Sequence, residues 1–588
     1  MTNDKLKTIY EYNSLGQQIA SYNQGTTNGV VQTGLVSGST TYYEQIDNHW
    51  WQTTSSYIWA QTNSANCTTT SVSRTQMTGL GQTAGNAELQ LGINANAKCI
   101  AFSSSTDLHN NTTTNMTFVD QSTATKWQIS QSSLSAGTAC QETIAGYPVM
   151  TISSLGATNT FTYDGFARQT SSTTIREASA VIGTSVASGV DRRMVSLVTS
   201  NFFNTVGQLS SVISEDLTTT YTYNSLGRTV AICSRGQQTS EVSATTNEYN
   251  SLGQLVYEHG STYPVKYEYD TSGRKILMQT FADSNDPAET EWLYDEPTGL
   301  LTNKLYDDGN GPSYSYYPNG KLHTRTWARG VTATNLYSVF GELISTSYSD
   351  GTPTVTKQYN RLGQPIFITD AQGTRIYAYN TNTFALLSES INGTNTISYF
   401  YNSRGIQTGY SSGNAEPQLG ISLVTDDYGR PATLQATFGS ETNTFHYNYL
   451  YGSAMVSSIT NNLGFGISKY YEDYRNLIVG VSNYFGSSPI SSFEYQNDAV
   501  GRRSKRYDSD DNLLVTTNGF AYNHYSEVTN AIMSTNNYNY TMDDIGNRLF
   551  LNNDEYTVDN LNQTEYLITE QENEFYFAHD LNGNMIYK

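Results

Sequence analysis

The groups in this sequence with the chemistry to bind a metal or carry a proton are seven histidines, four cysteines and three short runs of carboxylates. The histidines are His49, His109, His259, His323, His446, His524 and His579. No two of them stand in the His-Glu-x-x-His spacing that places two imidazoles on one zinc ion. Cys67, Cys99, Cys140 and Cys233 fit no zinc spacing. They are too few to staple a chain of this length, so a Cys67–Cys99 bridge and four isolated thiols both stay open. Asp307-Asp308, Asp508-Ser509-Asp510-Asp511 and Asp543-Asp544 supply the oxygen atoms calcium takes, but in none of the spacings of a calcium loop, and they read as solvated turns. No Gly-x-Ser-x-Gly elbow and no phosphate-cradling glycine loop is present. The expectation is a protein with no catalytic residue, no cofactor and no metal. Trp50-Trp51, Trp292 and Trp327 have faces on which a sugar ring could stack, so a glycan is an alternative ligand.

These groups sit among elements that recur. The phrase Tyr221-Thr-Tyr223-Asn224-Ser-Leu-Gly227-Arg228 returns as Glu248-Tyr249-Asn250-Ser-Leu-Gly253-Gln254 and as Tyr267-Glu-Tyr269-Asp270-Thr-Ser-Gly273-Arg274. Further copies centre on Tyr12 and Gly16, Tyr163, Tyr316 and Gly320, Tyr337 and Gly341, Tyr359 and Gly363, and Tyr401 and Gly405. From Tyr223 to Tyr401 the matching tyrosines are 20 to 26 residues apart. A fixed period of this size marks a repeat architecture.

Elementary rules give each unit a shape. Two tyrosines two positions apart on a strand share one face, and aromatic rings favour the half-buried surface of a sheet. Asn or Asp then opens a turn by bonding backbone two residues on, and Gly closes it at a left-handed φ. Alternating apolar residues follow, as in Gln254-Leu255-Val256-Tyr257. Each unit is therefore strand, turn, returning strand, and the fold class is all-β: tandem antiparallel hairpins in one long curled sheet. Gly227, Gly253, Gly273, Gly363 and Gly405 are expected at positive φ. Tyr249, Tyr269, Tyr359 and Tyr401 are expected mostly buried against rings of neighbouring hairpins. Short helical turns are conceivable only near Asp283–Thr290.

The Tyr-x-Tyr-[Asn/Asp]-x-x-Gly-[Arg/Gln] phrase resembles that of the Rhs, or YD-repeat, proteins, which include bacterial polymorphic toxins, the C component of insecticidal toxin complexes and the teneurins. The resemblance is dense from about Phe161 onward, with one further copy at Tyr10–Gln17. It implies a hollow spiral shell that holds a toxic or unfolded C-terminal cargo, hence a toxin or cargo domain as partner. The Pro- and Asp-rich core motif of cargo-carrying members is missing here, so no catalytic residue is carried over.

Composition agrees with a sheet. Tyr numbers 46 against 11 Pro, and only 14% of residues are charged, in a palette of Ser, Thr, Asn, Gly and Tyr. The net charge of −21 argues against nucleic acid as a partner. No run of apolar residues is long enough to span a membrane. The chain reads as 1–35, the start of the repeats; 36–150, a divergent β region of decayed repeats or a small β insertion; and 151–588, the repeat array. It is read as a fragment of a longer protein, secreted or at a cell surface. Self-association through open sheet edges is expected. The alternative function is an adhesion module that binds glycans or proteins through its aromatic repeats.

Overall fold

The computed structural model describes residues 4–27, 30–59, 67–181, 190–215, 217–236, 242–283, 286–412, 418–510 and 515–587. Nearly everything in it is strand. Forty-seven strands form one antiparallel sheet, each paired with the strand before it in the chain. The first, Asp4–Tyr12, and the last, Glu574–Tyr576, each have a single ladder partner, so the sheet is not closed edge to edge. A further small pair, Ala578–His579 with Met585–Tyr587, follows. Among the described residues the one helix is Asn86–Gln90. The described residues of the stretch from Asp283 to Thr290 are strand, Asp286–Tyr294 pairing with Lys275–Asp283; 284–285 lie outside the described residues.

One hairpin shows how the repeat phrase builds. Strand Leu217–Tyr223 returns as Thr229–Gly236, with Tyr223 opposite Thr229 across a bulge. Asn224 Oδ1 accepts from the amides of Leu226 and Arg228, both at 3.0 Å. Its carbonyl accepts from Gly227 N at 3.0 Å. The chain reverses only if the residue closing this turn goes left-handed, and Gly227 does, at φ 81°. Gly16, Gly253, Gly273, Gly320, Gly341, Gly363 and Gly405 occupy the same place, at φ between 74° and 92°. Ala167 fills it in the copy after Tyr163, at φ 64°.

The two faces of the strip differ. Tyr221 and Tyr223 are half-buried while Thr222 between them is exposed, and the same alternation marks Val265–Tyr269 and Val355–Tyr359. Residues 77–97 form the exception to a single-layer sheet. They leave the ladder, make the short helix, and bring Ile93 and Ala97 against Cys99, Phe118, Trp127, Ile129 and Cys140. Those five lie on consecutive strands between Lys98 and Ile144. This local second layer gives the chain its densest apolar cluster.

The strip also meets itself. Arg361 Nη2 donates to the carbonyl of Leu35, 326 residues earlier, at 2.8 Å. Asn111 Nδ2 donates to Arg404 O at 2.8 Å, a separation of 293 residues. Tyr263 reaches Glu527, and Asp307 reaches Asn560, at separations of 264 and 253. A sheet of like-handed twist curls, and this one returns to itself after about two dozen strands. The whole chain makes about two windings on that count.

Candidate functional site

Two sets of side chains make the strip into a wall. The first joins neighbouring hairpins. The last tyrosine of a repeat donates its hydroxyl to a backbone carbonyl of the hairpin before it: Tyr223 to Leu209 O at 2.7 Å, Tyr249 to Thr229 O at 3.0 Å, Tyr269 to Leu255 O at 2.8 Å and Tyr359 to Leu343 O at 2.9 Å. Tyr163 does the same to Pro148 O at 2.6 Å. Burial pushes the Tyr163, Tyr269, Tyr316, Tyr337 and Tyr359 hydroxyls above their usual range.

The residue after the turn glycine works in the opposite direction along the strip. Gln208, Arg228, Gln254 and Lys321 each donate to a backbone carbonyl in the turn of the following hairpin, Lys321 to Gly341 O at 2.6 Å. Arg228 and Lys321 also lie over the rings of Tyr249 and Tyr337 at 5.8 and 5.0 Å. Where the turn opens with Asp, the same arginine closes an ion pair on it, as Arg168–Asp164 and Arg274–Asp270, both 2.6 Å. The Arg168 side-chain bond is first among the causes that hold the Asp164 carboxyl below its usual range.

The tyrosines are less deeply placed than the sequence implies. Tyr249, Tyr269, Tyr359 and Tyr401 are half-buried, and the neighbour contacts of the first three run through hydroxyl and cation rather than ring on ring. Tyr12 is exposed, at 57%. A ladder one layer thick has no opposing sheet to seal a ring. A carbonyl in the next hairpin is the partner within reach of a ring projecting from the last strand position.

The second set is the seam between windings, and sequence reasoning missed it. In the cross-winding contacts a connection of the first winding that lacks the repeat phrase meets a hairpin turn of the second, a turn of the repeat phrase at Asn360–Gly363 and Asn402–Gly405 and a departure from it at Glu472–Leu477. Arg176, 6% exposed, aims Nη2 at the carbonyls of Glu472, Asp473 and Arg475 at 3.5, 3.4 and 3.3 Å. Burial draws its guanidinium below the usual arginine range. Arg193 pairs with Asp473. Tyr451 N donates to Glu177 Oε2 at 2.6 Å, and Ala136 N to Asp427 O at 2.7 Å. Tyr263 donates to Glu527 Oε1 at 2.7 Å, and that bond, first among its causes, pushes the phenol up to about 12. The only signal in the sequence was an arginine in an unremarkable strand, Thr174-Ile175-Arg176-Glu177.

The groups with chemical potential lie apart from one another. His109 stands at the seam, against Gly405. His259 stacks on Tyr257 and His323 on Tyr317. All four cysteines are free thiols, with Cys67 exposed and Cys99 buried, so the Cys67–Cys99 bridge does not form. The Cys99 thiol is spent in the apolar cluster, and burial pushes that of Cys140 up to about 11. Asp508 is engaged by Arg506 at 2.7 Å and Asp307 by Asn560 at 3.1 Å. Trp292 lies between the ammonium groups of Lys275 and Lys304, and Trp327 stacks on Tyr348. Their ring faces are already used. Among the described residues no helix is long and apolar enough to cross a membrane.

Comparison with known proteins gives a likeness among solved structures only. No family model matches and no curated protein matches. Crystal structures of TcdB2-TccC3-TEV and TcdB2-TccC3 align with 99% and 97% of this chain at 10% and 11% identity, with TM-scores of 0.38 and 0.35. The chain spans 43% and 50% of those chains, about half their length. A porin-like protein from Bacteroides uniformis aligns with 55% of the chain at 13% identity and a TM-score of 0.12.

Proposed function

We propose that this chain is a containment wall, a wound sheet that encloses a polypeptide guest and performs no turnover of its own. The observation that carries the reading is the seam: the strip meets itself at separations of 253 to 326 residues, so it surrounds a space. Two dozen strands at about 4.8 Å each give a circumference of about 115 Å and a diameter of about 37 Å. Removing the roughly 10 Å thickness of one sheet leaves a lumen about 27 Å wide. Two windings of strands about 20 Å long make it about 40 Å tall. A compact chain of about 60 residues fits that width, by the scaling of radius with length. The lumen is too wide for wall side chains to fill, which is the regime of barrels that hold contents.

The scattered histidines and carboxylates support a wall rather than an enzyme; against a sugar platform stand the engaged faces of Trp292 and Trp327, while Trp50 is 48% exposed. The resemblance of the repeat phrase to that of shell-forming toxin proteins points the same way, and a toxin or other cargo is the guest it suggests.

A marginally stable reporter of about 60 residues, joined to Lys588, tests the reading. Protease should leave the reporter intact while the seam is closed and digest it once Arg361→Ala and Arg176→Met open it. X-ray scattering on the chain alone should show the pair-distance profile of a hollow body. A filled profile, or a reporter cleaved at the same rate with the seam closed or open, would end the proposal.

A further inference from the structure

The seam defines two kinds of edge on the strip. One edge carries the turns that follow the repeat tyrosines, and the other, the plain edge, carries the connections between one repeat and the next. Inside the molecule the turn edge of the second winding docks on the plain edge of the first. That leaves the turn edge of the first winding and the plain edge of the second without a counterpart among the described residues.

Local geometry distinguishes several docked turns from the undocked ones. A Cβ built on Gly405 meets the His109 ring at 2.4 Å, one on Gly546 meets the Tyr263 hydroxyl at 2.3 Å, and one on Gly452 meets Ala157 at 3.4 Å, all across the seam. At Gly207, Gly227 and Gly253 the nearest atoms belong only to the preceding hairpin, namely Arg168, Gln208 and Arg228. The side chain two places after the turn-opening residue differs in the same way. Phe166, Val206, Leu226 and Leu252 protrude at 83, 77, 68 and 75% exposure, whereas Val500, Tyr525 and Ile545, at the equivalent place in the second winding, are half-covered. The plain edge of the second winding has its own apolar knobs in Phe438 and Leu463, at 60 and 55%. Exposed apolar side chains repeated along an edge mark a contact surface.

We propose that the turn edge of the first winding docks on the plain edge of the second winding of another copy of this chain, so that copies add head to tail and continue the spiral. The occupant follows from continuity: the contact repeats, between molecules, the one that the chain already makes with itself. The two surfaces are different patches, so the contact is heterologous and does not close on a dimer. It is distinct from pairing through the terminal strands, and it does not depend on the lumen being filled. Each copy carries a net charge of −21. Copies repel at low ionic strength, and salt that shortens the screening length to about 3–10 Å should strengthen the contact.

The test is sedimentation of the full chain over a roughly hundredfold range of concentration, at low and high salt. The mass should rise with both. Leu226→Glu with Leu252→Glu, or Phe438→Glu with Leu463→Glu, should each leave a monomer with unchanged circular dichroism. Mixing the two variants should produce a dimer that grows no further, because each retains one competent edge. A chain that stays monomeric throughout would overturn the proposal. So would association that survives both double variants, since it would then run through the terminal strands or another surface.

Discussion

Arg176→Met is the sharpest probe of the seam. The methionine keeps the aliphatic stem and removes the one buried guanidinium that faces three carbonyls of the opposing turn, at 3.3 to 3.5 Å. These bonds are long, so each is taken at the low end of the usual range, about 0.5 kcal/mol. Three of them give about 1.5 kcal/mol. Relief of the arginine's desolvation offsets part of this, and the carbonyls left without a donor add to it. A net cost of about 1.4 kcal/mol is about a tenfold rise in the population of the open seam. Native-state hydrogen exchange reads that population residue by residue. Amides of the turn Glu472–Leu477 should exchange about tenfold faster, while ladder amides far from the seam, such as those pairing Glu248 with Tyr257, keep their rates. Arg176→Lys should not rescue, because an ammonium offers a point donor rather than a fork. A uniform rise across all hairpins would refute the reasoning, since it would place Arg176 in the stability of its own strand. No change at 472–477 would refute it as directly.

Three further outcomes follow from the same geometry. Gly405→Ala should destabilise more than Gly227→Ala by about 1–2 kcal/mol in denaturant titration: both incur the left-handed strain, but only the first drives a methyl group into a ring of the other winding. Equal costs would mean that the windings do not press together at His109. Tyr359→Phe should cost about 1 kcal/mol by the same titration, the net worth of its hydroxyl bond to Leu343 O, and a neutral result would reduce the hydroxyl to decoration. Stability should fall steeply at high pH. The folded phenols of Tyr263 and Tyr399 are raised to about 12 and those of Tyr269, Tyr359 and Tyr379 are raised above 10. The folded state therefore binds more protons than the unfolded one above pH 10. Stability is complete below that pH and is lost as pH climbs toward 12. Unfolding followed against pH should show this loss, and a flat profile between pH 9 and about 12 would contradict it.

The hairpins were legible because their instructions are local. Asn224 reaches amides two and four residues on, and Gly227 closes the same turn, so the whole device lies inside one octet. The face of each tyrosine was legible from its period of two. Its partner was not, because an acceptor carbonyl carries no residue identity: Leu209, Thr229 and Pro148 serve alike. The excursion of 77–97 lies inside the stretch that the sequence marks only as decayed repeats or a small β insertion. The apolar alternation Leu89-Gln-Leu91-Gly-Ile93 within a Ser- and Thr-rich stretch was its one sequence mark. The seam left no mark at all. Arg361 sits in an ordinary copy of the repeat phrase and Arg176 in an ordinary strand, and contacts across roughly 300 residues have no period to betray them.

The seam and the ladder are held by different bonds, and this decides how the wall yields to force. Every ladder bond lies between strands adjacent in the chain, whereas the seam consists of separate contacts, mostly through side chains, about every one or two hairpins. A pull that separates the windings meets those contacts one at a time, as a zip does. The ladder, loaded along its strands, resists many bonds together. The molecule is therefore soft in one direction and stiff in the other. It can uncoil like a watch spring with all of its strand pairs still made. Recoiling needs no refolding, only the return of arginine to carbonyl.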